Sequence, residues 1–321
     1  MGLGIKGAIK DFCLQISHWH EMRKYSKKKT AEWYKNRILK SSHSIERGLS
    51  LSNCRYGFGA EKIKILIAFC EEYSTFKEMD IYVVRIAVDV LKAYFSFNHK
   101  HSYSDEALEQ NEKALNSFLQ RIQWEEIEGA CFGGVQKYIP KKNTGSYLEL
   151  ENCIQTRHSI RQFKQVPVNQ EELKEAIHLA LKAPSACNRQ ATRVYILDKD
   201  KFEILSDFLA GTRGFLGEVD KMLIVTGKLS AYEIGENYQY IVSPSIFVGY
   251  LTLTLHAKGL GACILQRDLL RTKKWKKLAN IIGAQEDEQL VCMLAVGVPN
   301  DEILVPVSKR LQYEEIVKEV L

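Results

Sequence analysis

Proline is scarce and late in this chain: six residues among 321, none before Pro140. The first 139 positions therefore contain nothing whose ring would break a helix. The eight cysteines (13, 54, 70, 131, 153, 187, 263 and 292) include no C-x-x-C pair. That argues against zinc ribbons and redox dithiols and fits reduced thiols in a cytoplasmic setting. No apolar run reads as long enough to span a bilayer, and the start lacks the apolar core and small-residue cleavage site of a signal peptide. No nucleic-acid module surrounds the short basic stretch Lys24 to Lys29, so no nucleic-acid partner is expected. No metal-ligand pattern stands out either. What remains, 45% hydrophobic and 26% charged, is the composition of an ordinary globular protein of one large or two ordinary domains.

The net charge of +6 is unevenly placed. Residues 1–40 carry ten Lys or Arg against three Asp or Glu, a net of +7 that leaves about −1 for everything after. Within that segment Ile5, Ile9, Phe12, Ile16 and Trp19 recur at the spacing of one helix face, with Lys6 and Lys10 off it. A basic amphipathic helix of this kind packs on its own protein or lies on an anionic membrane surface, which leaves peripheral membrane contact through residues 1–40 open. Residues 30–140 read as mostly helical, with periodic segments at Ile63–Phe76, Ile81–Phe97 and Asp105–Ile122. Between the early helices, His43–Leu49 and Cys54–Gly59 cluster glycine, charge and aromatics as a shaped loop would. His43, Glu46 and Arg55 there are equally readable as buried polar partners that hold helices together.

Glycine and polar residues without periodicity, at Cys131–Gly134 and Lys141–Gly145, mark a linker. Beyond it the chain alternates in the α+β manner. A helix is expected at Asn169–Lys182 with Asn169 at its cap, then a strand at Arg193–Leu197. A helix at Lys201–Leu209, a buried strand at Met222–Thr226 and a long apolar helix at Tyr238–Lys258 follow. Strands at Ala262–Gln266 and Gln289–Val298 flank a basic amphipathic helix, Asp268–Ile282, with Asp268 as its cap.

Two motifs carry the chemistry. Arg157-His158-Ser159-Ile160-Arg161-Gln162-Phe163 offers cationic and hydroxyl groups at 157, 159 and 161, which point to one side of extended backbone and can converge on one anion. About one helix later, Ala183-Pro184-Ser185-Ala186-Cys187-Asn188-Arg189-Gln190 breaks a helix and supplies small residues and amides, suited to backbone that approaches a flat ring. An ordinary helix-terminating turn would use the same Pro, Ser and Asn. Together, at this spacing, the motifs resemble the nitroreductase family of flavoproteins over residues 148 to 321. A helical segment like residues 1–146 precedes the flavin domain in nitroreductase-like proteins associated with surface-polysaccharide biosynthesis.

The resemblance implies an α+β, nitroreductase-like fold: a central mixed sheet flanked by helices, forming a homodimer that shares FMN between subunits. The division would be a mostly α-helical region at 1–146 and the FMN-binding domain at 147–321. Arg157 would meet the flavin phosphate beside His158, Ser159 the phosphate or ribityl chain, and Arg161 the pyrimidine edge, where a fixed positive charge tunes the redox potential. A surface arginine is the alternative for Arg161. Pro184, Ser185, Ala186, Asn188 and Gln190 would come from the second subunit. Cys263, Ile264, Leu265 and Gln266 resemble the segment that runs along the ring, with Cys263 read as packing, and Lys309 and Arg310 resemble the basic pair that completes the phosphate site. The usual proline after that arginine appears as Gln312, and an asparagine that often contacts the flavin has no match around Thr212 and Arg213.

The activity so implied is transfer of electrons from NADH or NADPH through FMN to a small conjugated acceptor of quinone, nitro or enone type, in ping-pong turnover. The other function class is a structural or regulatory partner in a membrane-proximal polysaccharide assembly, with a vestigial flavin site. Only Lys228–Asn237 separates the middle strand from the long helix, leaving little room for a lid. The His43–Gly59 stretch, with Arg47, Arg55 and Tyr56 as contacts, is therefore expected to lie near the flavin of one subunit or the other and to set acceptor choice.

Overall fold

The structure, a computed structural model, describes residues 5–137, 144–205, 208, 214–265, 273–306, 308 and 310–320. The expected linker residues Lys141 to Asn143, the Asp268 cap, Gln266, Lys309, Thr212 and Arg213 lie outside them.

Helices fill the proline-free part: α1 (Ile5–Lys27), α2 (Ala31–Leu49), α3 (Ala60–Tyr73), α4 (Ile81–Lys100) and α5 (Glu106–Arg121). Side chains start three of them. Thr30 accepts a hydrogen bond from the Trp33 amide, Asp80 from Tyr82 and Asp105 from Leu108, each satisfying an amide that the first helical turn leaves unpaired. The apolar stripes of α2 to α5 close on one another, with Ile38, Ile63, Leu66, Ala87, Leu91 and Phe118 in the core. His43–Leu49, expected as part of a loop, is instead the last two turns of α2; the loop is confined to residues 50–59. Its residues pack into the bundle. Tyr56 stacks on His101 at 5.0 Å between centroids, and the Gly57 amide donates to Asn98 Oδ1 at 2.7 Å.

Helix α1 divides in two. Met22 and Tyr25 are buried against Ala191, Leu229, Ala231, Tyr232 and Tyr240, whereas Ile9, Phe12, Ile16 and Trp19 stay exposed.

The second part contains α6 (Thr144–Thr156), α7 (Gln170–Ala180), α8 (Gln239–Ala257), α9 (Lys273–Ile282) and a four-stranded sheet. Helix α6 begins inside the expected linker. The strands β1 (Thr192–Asp198), β2 (Lys221–Lys228), β3 (Gly261–Leu265) and β4 (Glu288–Gly297) lie in the order β1-β2-β4-β3. All of its ladders are antiparallel, so the expected mixed character is limited to one parallel bridge, Ser159 with Ala262. Of the helix expected at Lys201–Leu209, residues 201–205 belong to a 3-10 helix, Lys199–Leu205, while 206, 207 and 209 lie outside the described residues. Strand β2 is buried along its whole length. Its side chains alternate between two cores: Met222 and Ile224 join Phe163, Trp275 and Leu278, while Leu223 and Val225 join Leu173, Leu251 and Leu255.

Helix α8 corrects the expectation that no segment is long and apolar enough to span a bilayer: by length and composition it is. In the fold Phe247, Leu251 and Leu255 pack it onto the sheet, while Val242, Ile246 and Tyr250 on its other side are exposed.

The crossing of α8 over β2 depends on Gly227. A Cβ there would fall 1.8 Å from the Tyr240 carbonyl oxygen, a backbone atom that no rotamer can move. Gly227→Ala should therefore destabilise the protein by about 3 kcal/mol or more. Urea unfolding measures it, and a loss below about 1 kcal/mol would show that α8 shifts away freely.

Candidate functional site

Arg157 is the first residue after α6, and from there the chain runs along β3. The Ile160 amide donates to the Ala262 carbonyl at 3.0 Å and the Lys164 amide to Val298 at 2.8 Å. Ile160 and Phe163 point into the core, and Phe163 packs where Gly261 and Gly297 leave room: a Cβ on Gly297 would come within 2.7 Å of its ring. These two anchors fix the strip that carries them. Four of its polar members, Arg157, His158, Ser159 and Arg161, line one cleft of ≈ 860 Å³. Arg310 and Ser308 close it from the C-terminal segment, with Ile154, Gln155, Gly249, Thr252 and Leu253 forming the wall.

The cleft is electropositive, and the titration of a neighbour registers it. His256 on α8, whose Nε2 lies 2.8 Å from Thr156 Oγ1, is held below the usual imidazole pKa by burial first, then by the charges of Arg157 and His158. Arg161 lies beside Cys263. Burial pushes that thiol up, and the guanidinium offsets part of the rise. The Cys263 side chain is in the core, while Ile264 is exposed and Leu265 partly buried. None of the three lines the cleft among the described residues.

The Pro184 to Gln190 motif contributes no residue to that cleft either. It forms a separate loop beyond α7 with a short 3-10 turn at Ala186–Asn188, and its backbone is unusual: Cys187, Asn188 and Gln190 have φ of 51°, 51° and 50°. Three non-glycine residues in the left-handed region cost of order 1 to 3 kcal/mol each and persist only where surroundings over-determine them. Ser185 supplies part of that determination. Its carbonyl accepts from the Asn188 amide at 2.9 Å and its Oγ from the Gln190 amide at 3.1 Å, while Ser243 Oγ accepts from Ala186. Pro184, Asn188 and Gln190 are exposed, with Ser185 and Ala186 half-buried.

Arg189, within the motif but not singled out from the sequence, is almost fully buried. It donates to both carboxylate oxygens of Glu236, at 2.8 and 2.6 Å, and to the Ala231 carbonyl at 3.0 Å, and its guanidinium lies 5.0 Å from the Tyr232 ring centre. Nothing in the local sequence marks Glu236 as its partner 47 residues away. Thr252, Leu253 and His256 were also silent, reading as part of an apolar core helix.

The His43–Gly59 stretch, expected over the site, adds no residue to the cleft within one chain. Phe58, lodged against Gly48 and Tyr94, draws it into the bundle instead.

If Arg157 helps to hold His256 neutral, Arg157→Ala should raise the His256 pKa toward its ordinary value, as followed by NMR titration of the imidazole. An unmoved titration would remove Arg157 from that field.

No curated protein matches the chain. Solved structures similar to it include an FMN-dependent nitroreductase from Clostridium difficile R20291 (23% identity over 53% of this chain and 98% of that one, TM-score 0.44). Another is a nitroreductase family protein from Streptococcus pneumoniae TIGR4 (18% identity, 54% and 100%, TM-score 0.44). A third is an FMN complex from Desulfovibrio desulfuricans (20% identity, 56% and 99%, TM-score 0.46). The helix-flanked sheet is a nitroreductase-like fold, and residues 154–212, which carry both the Arg157–Arg161 strip and the Ser185–Gln190 loop, match the family model described as the nitroreductase family.

Proposed function

We propose that this protein is an FMN-dependent oxidoreductase that takes electrons from NADH or NADPH and passes them to a small conjugated acceptor, working as a cytoplasmic homodimer. The observation that carries the reading is the convergence of Arg157, His158, Ser159, Arg161 and Arg310 on one cleft. Three guanidinium groups and a hydroxyl lining one cleft suit a dianionic phosphate, and guanidinium is the side chain best shaped for it. FMN, when bound, supplies two-electron transfer between nicotinamide and acceptor.

The residues then divide the work. Arg157, Ser159 and Arg310 would bind the phosphate; Arg161, at the cleft edge beside Cys263, would place a positive charge by the ring's pyrimidine side. The left-handed Cys187-Asn188 backbone, with Gln190, would present amides to a ring held by the partner subunit. Support for the homodimer comes from the apolar surface that one chain leaves open: Val242, Ile246 and Tyr250 on α8, and Tyr147, Leu148, Leu150 and Ile154 on α6. A helix apolar on all sides, as α8 is, belongs in an interior, and a second copy would provide one. Eight unpaired cysteines fit a reducing compartment.

The decisive measurement is an absorbance spectrum. Full-length protein should purify yellow or take up FMN, and NADH or NADPH should bleach the flavin bands under anaerobic conditions. Colourless protein that binds no FMN would overturn the reading in favour of a structural partner. Arg157→Ala should weaken FMN binding by about ten- to a hundredfold, the worth of a charge-assisted phosphate contact of about 1.5 to 3 kcal/mol. Arg161→Ala should instead lower the FMN midpoint potential, because the reduced anionic ring loses its counter-charge; an unaltered potential would take that role away.

A further inference from the structure

Within one chain the loop of the N-terminal helices adds no residue to the cleft. Helix α2, however, reaches the other half of the candidate site through charge. Its Arg37 Nη1 lies 3.0 Å from Glu233 Oε1 and its Lys40 Nζ 2.8 Å from the same oxygen, with a second approach of Lys40 to Glu236 at 4.0 Å. Glu233 and Glu236 belong to the short connection between β2 and α8. They are joined to each other as well, the Glu233 amide donating to Glu236 Oε2 at 2.9 Å. Glu236 in turn holds Arg189 by its two-point pair. The path from α2 to the Ser185–Gln190 loop is thus Arg37 and Lys40, then Glu233 and Glu236, then Arg189, with no gap longer than an ion pair.

The burial along this path makes it more than a surface contact. Arg189 is 2% exposed and Arg37 8% exposed, so neither can exchange its partner for water. Burial pushes the Arg37 guanidinium below its ordinary pKa, and Glu233 works against that. Arg189 is likewise penalised by burial, and Glu236 more than restores it. Arg37 is further held in place by the Trp33 ring, 4.9 Å from its guanidinium carbon. At the far end is the loop with three left-handed non-glycine residues, the kind of backbone that relaxes when its surroundings cease to over-determine it.

We propose that Arg37, Glu233 and Glu236 are positioning residues, and that through them helix α2 holds Arg189 and so keeps the Ser185–Gln190 loop in its strained, binding-ready form. The N-terminal region then sets flavin affinity through the loop's conformation. This rests on the reading that the loop meets the ring. Loosening the relay should release the loop amides of Ala186, Asn188 and Gln190 without unfolding the sheet, and should weaken FMN binding because the loop must first be re-ordered.

The test uses the full-length chain with Arg37→Met, Glu236→Gln and, as the conservative control, Arg37→Lys. Amide hydrogen exchange of the apo protein over residues 185–191 is compared with exchange in β2 and β4, and FMN titration and midpoint potential follow on the same samples. The expected result is exchange about tenfold faster in the loop alone, FMN bound roughly three- to tenfold more weakly, and recovery of both by Arg37→Lys. Lys40→Ala, at a half-exposed position less able to disturb folding, should show the same pattern more weakly. Unchanged loop exchange in both Arg37→Met and Glu236→Gln would overturn the relay itself. Faster loop exchange with FMN affinity and potential unaltered, while Arg157→Ala still weakens FMN, would overturn the assignment of this loop to the ring and leave the anion cleft standing. General acceleration across β2 and β4 in every variant, Lys40→Ala included, would show a merely structural role and also refute it.

Discussion

A guanidinium sealed from water, that of Arg189, constrains how the two parts of this molecule fit together. A buried cation is tolerable only with a carboxylate in good geometry and its remaining donors satisfied. Glu236 meets the first demand with both oxygens, and the Ala231 carbonyl takes one further donor, while Nε is buried without a hydrogen-bond partner. Because Glu236 lies in the connection after β2, that connection must stay short and close to the loop. Because Glu233 in the same connection draws Arg37 and Lys40, α2 must lie against it. A second set of charges repeats the arrangement lower on α2, where Glu32 takes Arg193 at 3.3 Å and Lys228 at 3.5 Å. The helical region is therefore fixed to the sheet by pairs whose members come from opposite sides, not by apolar surface alone.

How much of this the sequence disclosed follows from range. Local patterns were readable: the period-3.6 stripes of α3 to α5, the Asn169 cap, and the apolar runs of β2 and β4 all appear within a few residues of their expected bounds. The Arg157–Arg161 strip was readable too, because cationic and hydroxyl residues this close together stand out in the sequence. The Arg189–Glu236 pair was not, since two charged residues 47 positions apart look like any other surface charges until the fold buries one of them. The misplaced shaped loop has a similar origin. His43–Leu49 carries glycine and mixed charge, which suggests a turn, but Ile45 and Leu49 complete the apolar face of α2 and tertiary packing prevails over local preference.

The two halves of the candidate site rest on different physics. The cleft depends on charge density, with cations gathered between the Arg157–Arg161 strip and the C-terminal segment, and beside it the His256 imidazole is held below its usual pKa by burial first and then by the charges of Arg157 and His158. The loop depends on backbone geometry, and its cost appears as left-handed residues with side chains. Charge can be gathered by residues near in sequence, so the cleft is a local device anchored by two core side chains. Backbone strain cannot be sustained locally, since each strained residue gains by relaxing. It must be countered by contacts from elsewhere, and in this chain those contacts come from Ser243 on α8 and, through Glu236, from α2. Those attachments bear on how the chain can vary. The cleft needs little beyond residues 154 to 163, α8 and the C-terminal segment, whereas the loop as it stands draws on α2 as well. A helical extension joined to a nitroreductase-like fold need not be an independent module added at one end. In this protein its second helix is part of the scaffold that makes the loop possible.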